Sequence, residues 1–258
     1  MVKKTLGYSI IPIIALFFCL NPAVARNDAL GGVHLFQNFF KDTPISEVPY
    51  LEGAFQYEDY EHATGLRLEA QGGYSITPKF EIEAGLGIIN YDPEHGDDET
   101  GLSDLLISGR YDLSGLFSLP PGGTKFAAGG YFTLPTGDED VGEDKTDFGL
   151  FGAIRHPYTG GPVLTATLGI DSIEVIDRHG DDDRETSLQL GAGVMFPLDN
   201  FFSFIGELSF KSEIDYSLLS GGIDYKLRKY NRIRGCLGFG LDDGAPDFSL
   251  RVSYLGYF

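Results

Sequence analysis

Charged residues recur at every second position along much of this chain, as in Arg67 and Glu69, Glu81 and Glu83, and Asp224 and Lys226. Residues two apart on an extended strand share one face, and the residues between them share the other. Here the intervening positions are apolar: Leu66, Leu68 and Ala70; Phe80, Ile82 and Ala84; Ile223 and Tyr225. A row of ions backed by a row of hydrocarbon suits a wall with water on one side and lipid on the other. Two other groups carry chemistry. His62, His95 and His179 stand among acids such as Glu61, Glu94 and Asp177, and a histidine beside a carboxylate can serve general acid–base hydrolysis. No serine-containing signature stands beside them, however. In so acidic a chain, carboxylates fall next to loop histidines by composition alone. The runs Asp138-Glu139-Asp140 and Asp181-Asp182-Asp183 offer hard oxygen ligands, but neither has the spacing of a dedicated calcium loop. They suit divalent bridging to lipopolysaccharide phosphates better, and no catalytic residue, metal centre or cofactor is expected.

The elements that must position these charges are strands. Alternation marks twelve: about 47–58, then 66–76, 80–88, 102–113, 124–134, 146–156, 162–173, 186–196, 201–211, 217–227, 233–241 and 248–258. In the third, Phe80, Ile82, Ala84, Leu86 and Ile88 alternate with Glu81, Glu83, Gly85 and Gly87. In the last, Phe248, Leu250, Val252 and Tyr254 form an apolar row that runs through Gly256 to a terminal Phe258. Ser249, Arg251 and Ser253 occupy the other face. An alternating final strand that stops on Phe258 resembles the sorting signal of bacterial outer-membrane barrels. The expected fold is therefore all-β, a twelve-stranded transmembrane antiparallel β-barrel, an even number as single-chain barrels require.

The connections support that count. The second, fourth, sixth, eighth and tenth are short or turn-like: Thr77-Pro78-Lys79, Pro120-Pro121-Gly122-Gly123, Tyr158-Thr159-Gly160-Gly161, Pro197-Leu198-Asp199-Asn200 and Lys229-Tyr230-Asn231-Arg232. The odd ones all carry acid, from Glu58-Asp59-Tyr60-Glu61 to Asp242-Asp243. A wrong strand count would scramble this segregation. It places short turns in the periplasm and acidic loops outside. A soluble β-sandwich would predict neither the asymmetry nor the special C-terminus.

Residues 1–25 read as a secretory signal, with Lys3 and Lys4, an apolar run from Tyr8 to Leu20, and Ala23-Val24-Ala25 before Arg26. The run is short for a retained span of about 20 residues, and Phe17 and Phe18 argue against lipoprotein processing at Cys19. Cys236 is then alone, so no intramolecular disulfide forms. Residues 26–44 do not alternate. Val33, Leu35, Phe36, Phe39 and Phe40 could line one side of a short helix ended by Asp42-Thr43-Pro44. This segment is either a plug for the lumen or a periplasmic leader, and residues 45–258 form the barrel. Losing Lys3 and Lys4, with no acid in residues 1–25, takes the formal charge from −19 to −21. Nucleic acid is excluded as a partner on that ground.

Alternation places Arg67, Glu69, Glu81, Glu83, Asp104, Arg110, Lys125, Asp147, Arg155, Asp171, Glu207, Asp224, Lys226, Arg234 and Arg251 in the lumen. Arg110, Lys125, Arg155, Lys226 and Arg234 fall near the short turns, while Asp104, Asp147 and Asp171 fall near the acidic loops. Glu81, Glu83 and Asp112 sit low and are expected to pair with the basic cluster. Arg110, Lys125, Arg155 and Arg234 form either a basic constriction or part of a ring of ion pairs in a filled lumen. Inward glycines, among them Gly73, Gly85, Gly87, Gly129, Gly149, Gly169, Gly193 and Gly238, leave room for a passage or for close approach by a plug. Twelve strands suggest a narrow channel, between filled eight-stranded barrels and wide porins.

Several segments resemble an outer-membrane family labelled "putative meta-pathway of phenol degradation". They are Gly101-Leu102-Ser103-Asp104-Leu105, Leu134-Pro135-Thr136-Gly137-Asp138 with Thr146-Asp147-Phe148, and Gly244-Ala245-Pro246-Asp247-Phe248. The resemblance covers most of the mature chain. It implies a transporter-like barrel for small solutes, aromatic or apolar among them, and supplies no catalytic residues. The expectation is thus an outer-membrane channel or facilitator in a Gram-negative bacterium, and not an enzyme. Its partners would be outer-membrane lipid, lipopolysaccharide, the barrel-assembly machinery and a small-molecule solute. The alternatives are an embedded hydrolase and a non-conducting structural barrel.

Overall fold

A computed structural model of the protein describes residues 33–117, 122–138, 146–176, 182–227 and 231–258. Residues 1–32, among them the expected secretory signal, lie outside the described residues, as do Glu139-Asp140, Asp181 and His179. Thirteen strands follow one another: β1 (Tyr50–Tyr60), β2 (Ala63–Thr77), β3 (Phe80–Pro93), β4 (Glu99–Leu102), β5 (Leu105–Asp112), β6 (Lys125–Leu134), β7 (Phe148–Pro157), β8 (Val163–Ile176), β9 (Asp182–Pro197), β10 (Phe202–Lys211), β11 (Tyr216–Lys226), β12 (Arg232–Gly240) and β13 (Phe248–Tyr257).

Twelve of these close into a ring. Each pairs antiparallel with its chain neighbours, β3 passes directly to β5, and β13 returns to β1. The short β4 pairs with β3 alone and stands outside the ring. The strand expected over 102–113 is therefore interrupted. Leu102 pairs with Ile88 and Leu106 with Gly85, and Ser103 bridges the offset. Its N–H donates to the Gly87 carbonyl at 2.9 Å, and its Oγ accepts the Gly87 N–H at 2.8 Å. Closure leaves no free edge among the twelve strands of the ring, which is the condition for a sheet to cross hydrocarbon.

The two faces are inverted relative to a soluble protein. Leu68, Leu150, Ile170 and Phe239 on the outer face are each more than half exposed, whereas Glu52, Glu81, Arg110, Asp224 and Arg234 on the inner face are buried to within about 1 %. A water-soluble sandwich would do the reverse; a barrel whose apolar belt meets lipid does this.

Alternation ended the third strand near Ile88, yet β3 reaches Pro93. The backbone ladder to β2 persists to Ala63 opposite Pro93, beyond the apolar belt that the side chains mark. The turns follow local chemistry. Gly160 takes a positive φ of 66° in the Tyr158–Gly161 turn, which a residue with a Cβ resists. Asp199 Oδ1 accepts the N–H groups of Phe201 and Phe202, each at 2.7 Å. These two bonds hold its carboxyl below the usual range.

The seam between β1 and β13 runs from Tyr50 opposite Tyr257 to Asp59 opposite Phe248. Beyond it, the Phe258 N–H donates to the Pro49 carbonyl at 3.0 Å.

Residues 33–49 precede β1 and are not helical as the sequence suggested. Their one regular element is a 3₁₀ turn, Phe39–Lys41. The apolar residues there are not spaced for one helical face. They are divided among several pockets of the wall.

Candidate functional site

The site is the interior of the ring, and residues 33–46 occupy its short-turn half. Their partners lie on β3, β5, β7, β8, β9, β10 and β12, so the segment is surrounded by wall. Val33, Leu35 and Phe36 pack against Met195, Ile205 and Cys236, which face inward from β9, β10 and β12. Phe39 packs on Tyr50 of β1 and Leu255 of β13. Burying each large apolar side chain contributes about 1.5–3 kcal/mol. Inward glycines let the segment approach: a Cβ on Gly193 would collide with Leu35, one on Gly191 would lie 2.7 Å from Asn38 Nδ2, and one on Gly85 would lie 2.9 Å from Phe40 Cζ.

Three arginines grip the segment. Arg234 donates to the carbonyls of His34 and Leu35, lies with its guanidinium 4.6 Å from the Phe36 ring centroid, and is balanced by Glu52 at 3.0 Å and Asp224 at 3.3 Å. Arg155 donates to the Val33 carbonyl at 2.9 Å and pairs with the buried Asp42 at 3.2 Å. Arg110 donates to the carbonyls of Asp42 at 2.9 Å and Phe39 at 3.3 Å. It also pairs with Glu81 and Glu83, each at 2.7 Å, and Tyr50 Oη lies within hydrogen-bond distance of both carboxylates, at 2.6 and 2.7 Å. Desolvated charges need such compensation on every side. These arginines are neutralised and committed to the segment. Lys125, opposite Arg155 on β6, is exposed rather than buried with them.

Glu207 anchors the middle of the segment. Its carboxylate accepts the N–H groups of Phe36, Gln37 and Asn38 at 2.8, 3.0 and 2.8 Å, and Asn38 Nδ2 at 2.7 Å. Higher up, Lys41 donates to Gln189 and lies over the Tyr131 ring, 4.8 Å from its centroid. Tyr131 Oη in turn donates to Asp171 at 2.6 Å. Burial, then the charge of Lys211, pushes the Lys41 amine down to about 7, against the pull of Asp171. His34 is buried among arginines, with no hydrogen-bond partner on either ring nitrogen among the described residues. Burial and the neighbouring Arg110, Arg234 and Arg155 hold it well below the usual histidine range, and therefore neutral.

Above the segment, toward the acidic loops, a vestibule of about 360 Å³ opens. Phe36, Gln37, Phe39 and Phe40 contribute its floor, and Tyr60 and Tyr216 stand in its wall. Arg67 Nε donates to Glu58 at 2.8 Å; Arg251 donates to Glu69 at 2.6 Å and to Gln56 at 2.7 Å.

The remaining expected positions fall elsewhere. Asp104 lies in the offset between β4 and β5, where its Oδ1 accepts the N–H groups of Thr136 at 3.1 Å and Gly137 at 2.9 Å. Asp147 precedes β7 and donates its N–H to Thr133 Oγ1 at 2.8 Å. Lys226 is half-buried at the end of β11. Gly129 and Gly149 leave space that the rings of Phe151 and Tyr131 fill, so it is not open. On the C-terminal strand Val252 and Tyr254 are about half exposed on the outer face, and Phe258 is more so; Phe248 and Leu250 are partly covered.

His62 pairs with Glu94 at 3.1 Å on the exposed rim, and neither His62 nor His95 bonds a hydroxyl among the described residues. Alternation alone did not single out Tyr50, Glu52, Gln56, Glu58 or Asp42. The signal for the first four was present, because they form a strict inward row on β1. The apolar inward residues Met195, Ile205, Leu218 and Leu255 are exceptions on polar faces and were not singled out either.

A closed antiparallel ring with a polar interior, an apolar belt and short turns at one end defines an outer-membrane β-barrel. Within that class, the chain belongs to the family described as "Putative MetA-pathway of phenol degradation", whose model matches residues 51–253. Its fold is similar to the crystal structure of the COG4313 outer membrane channel from Pseudomonas putida F1. That likeness has 14 % identity and a TM-score of 0.72, and covers 87 % of this chain and 100 % of that one. It is also similar to the NanC porin, at 13 % identity and a TM-score of 0.57, covering 81 % and 99 %. A third likeness is to the KdgM porin in complex with disordered oligogalacturonate, at 10 % identity and a TM-score of 0.55, covering 80 % and 99 %. At these identities the likeness is one of fold. No curated protein sequence matches the chain.

Proposed function

We propose that the protein is an outer-membrane channel or facilitator for the passive passage of small solutes, closed at its periplasmic half by residues 33–46. The observation that carries this reading is the composition of the interior. The wall presents buried polar and charged groups, and much of what fills the lumen is a segment outside the wall. Withdrawing a segment held by hydrogen bonds and ion pairs leaves a polar passage; withdrawing a covalent part of the wall would destroy the barrel. Similar solved structures titled as a channel and porins support the same reading, and the family description favours small aromatic or apolar solutes. The final strand ending at Phe258 fits recognition by the barrel-assembly machinery, and the acidic loops fit divalent bridging to lipopolysaccharide.

Liposome swelling with charged, neutral and aromatic solutes tests the proposal, using protein with and without residues 26–44. Faster swelling without the segment is expected. Folded barrels that admit no solute in either form would instead be structural.

A further inference from the structure

The vestibule holds two opposite charges whose bonding capacity is only partly used. Arg67 and Glu69 lie two residues apart on the inner face of β2, about 6.6 Å along the strand. They do not pair with each other. Among the described residues Arg67 bonds Glu58 through Nε only, leaving both Nη groups without an acceptor there, and its side chain is 36 % exposed. Among the described residues Glu69 accepts Arg251 on Oε2 only, leaving Oε1 without a donor there, and its side chain is 29 % exposed. Gln37 lines the floor. Around these stand the rings of Phe36, Phe39, Phe40, Tyr60 and Tyr216.

We infer that the vestibule binds a small zwitterion that carries an ammonium and a carboxylate on one carbon together with an aromatic or apolar side chain, as an α-amino acid does. This rests on the channel reading and names its solute class. The carboxylate meets Arg67, the ammonium meets Glu69, and the side chain lies on the phenylalanine floor. A simple anion would leave Glu69 unanswered and must first pass the acidic loops, which repel it. A simple cation passes the loops but leaves Arg67 unanswered and is repelled by it. A net-neutral dipole meets both charges without either cost.

Calorimetric binding to the full-length protein in detergent, with phenylalanine, 3-phenylpropionate and phenethylamine, tests the inference. Phenylalanine is expected to bind at least tenfold more tightly than either singly charged analogue. Glu69→Gln should erase its advantage over 3-phenylpropionate, and Arg67→Gln its advantage over phenethylamine. Both variants should keep the heat-modifiable migration of a folded barrel. Should Arg67→Gln fail to fold, because Glu58 then lacks its ion-pair partner, Glu69→Gln alone carries the test. Equal binding of the three ligands, or none, overturns the inference. Swelling by arabinose in parallel reports on the channel separately. Arabinose entry without phenylalanine selectivity overturns the zwitterion site alone, and selective binding with no solute entry overturns the channel reading.

Discussion

Glu207 and Asn38 meet twice: one carboxylate oxygen accepts both the backbone N–H and the side-chain amide of Asn38, at 2.8 and 2.7 Å. The other oxygen takes the N–H groups of Phe36 and Gln37. One side chain of the wall thus satisfies three successive backbone donors that a non-helical segment would otherwise leave unbonded in a buried place.

Glu207→Gln keeps the shape but turns one acceptor into a donor that faces those N–H groups. Hydrogen bonds to a charged partner contribute about 1.5–3 kcal/mol each, so docking should weaken by about 2 kcal/mol or more, a thirtyfold change in the closed-to-open ratio. Planar-bilayer recordings should show frequent opening where the parent is mostly closed. Unchanged opening would remove Glu207 from the role of anchor.

Gly193→Val tests the fit by size. The added Cβ collides with Leu35, which must leave its pocket beside Met195 and Ile205. The strand itself tolerates valine. The barrel should fold and migrate normally while the open fraction rises. A variant that is as closed as the parent would show that Leu35 has room to move aside.

Lys41 makes closure depend on pH. Docked, its amine titrates at about 7; released, it returns to about 10.5. The released state therefore binds more protons between those values, and docking strengthens as pH rises from about 7 to about 10.5. Below about 7 the amine is charged in both states and docking is at its weakest. Opening should be more frequent at pH 6 than at pH 9, and Lys41→Met should flatten the profile. A flat profile in the parent would dissociate Lys41 from closure.

His34→Phe should tighten the closed state. Histidine here is neutral, has two unpartnered ring nitrogens, and lies with its ring centroid 4.7 Å from that of Phe39 and 5.8 Å from that of Tyr50. A phenyl ring fills the same space without the unmet polar atoms, each of which costs about 1–3 kcal/mol. Rarer opening and a higher thermal unfolding temperature are expected. A loss of stability would reveal a partner for His34.

The barrel was legible because period-two alternation is a local property, and a closed ring repeats it twelve times. The acid of the odd loops then fixed the parity. The lumen segment was less legible because its structure is not local. Phe36 and Phe39 read as helical neighbours, yet one belongs to a pocket made by β9, β10 and β12 and the other to β1 and β13. Alternation named Arg110, Arg155 and Arg234, but not that each reaches a carbonyl or carboxylate between residues 33 and 42. Glu52 escaped because Pro49, inside the strand expected over about 47–58, interrupts the pattern just before it. Ile205 and Met195 escaped because an apolar residue on a polar face reads as noise until something is found lying on it.

The order of the chain constrains the order of its assembly. The lumen segment precedes every strand, yet Glu207 lies 171 residues from Phe36 and Arg234 lies 200 residues from His34. Such distant contacts form late, after the intervening loops have been closed. Leu255, which completes the pocket for Phe39, is on the last strand of all. The segment therefore has no finished surface to bind until β13 zips onto β1, and a chain truncated before β13 would lack both the seam and the seat for its own stopper.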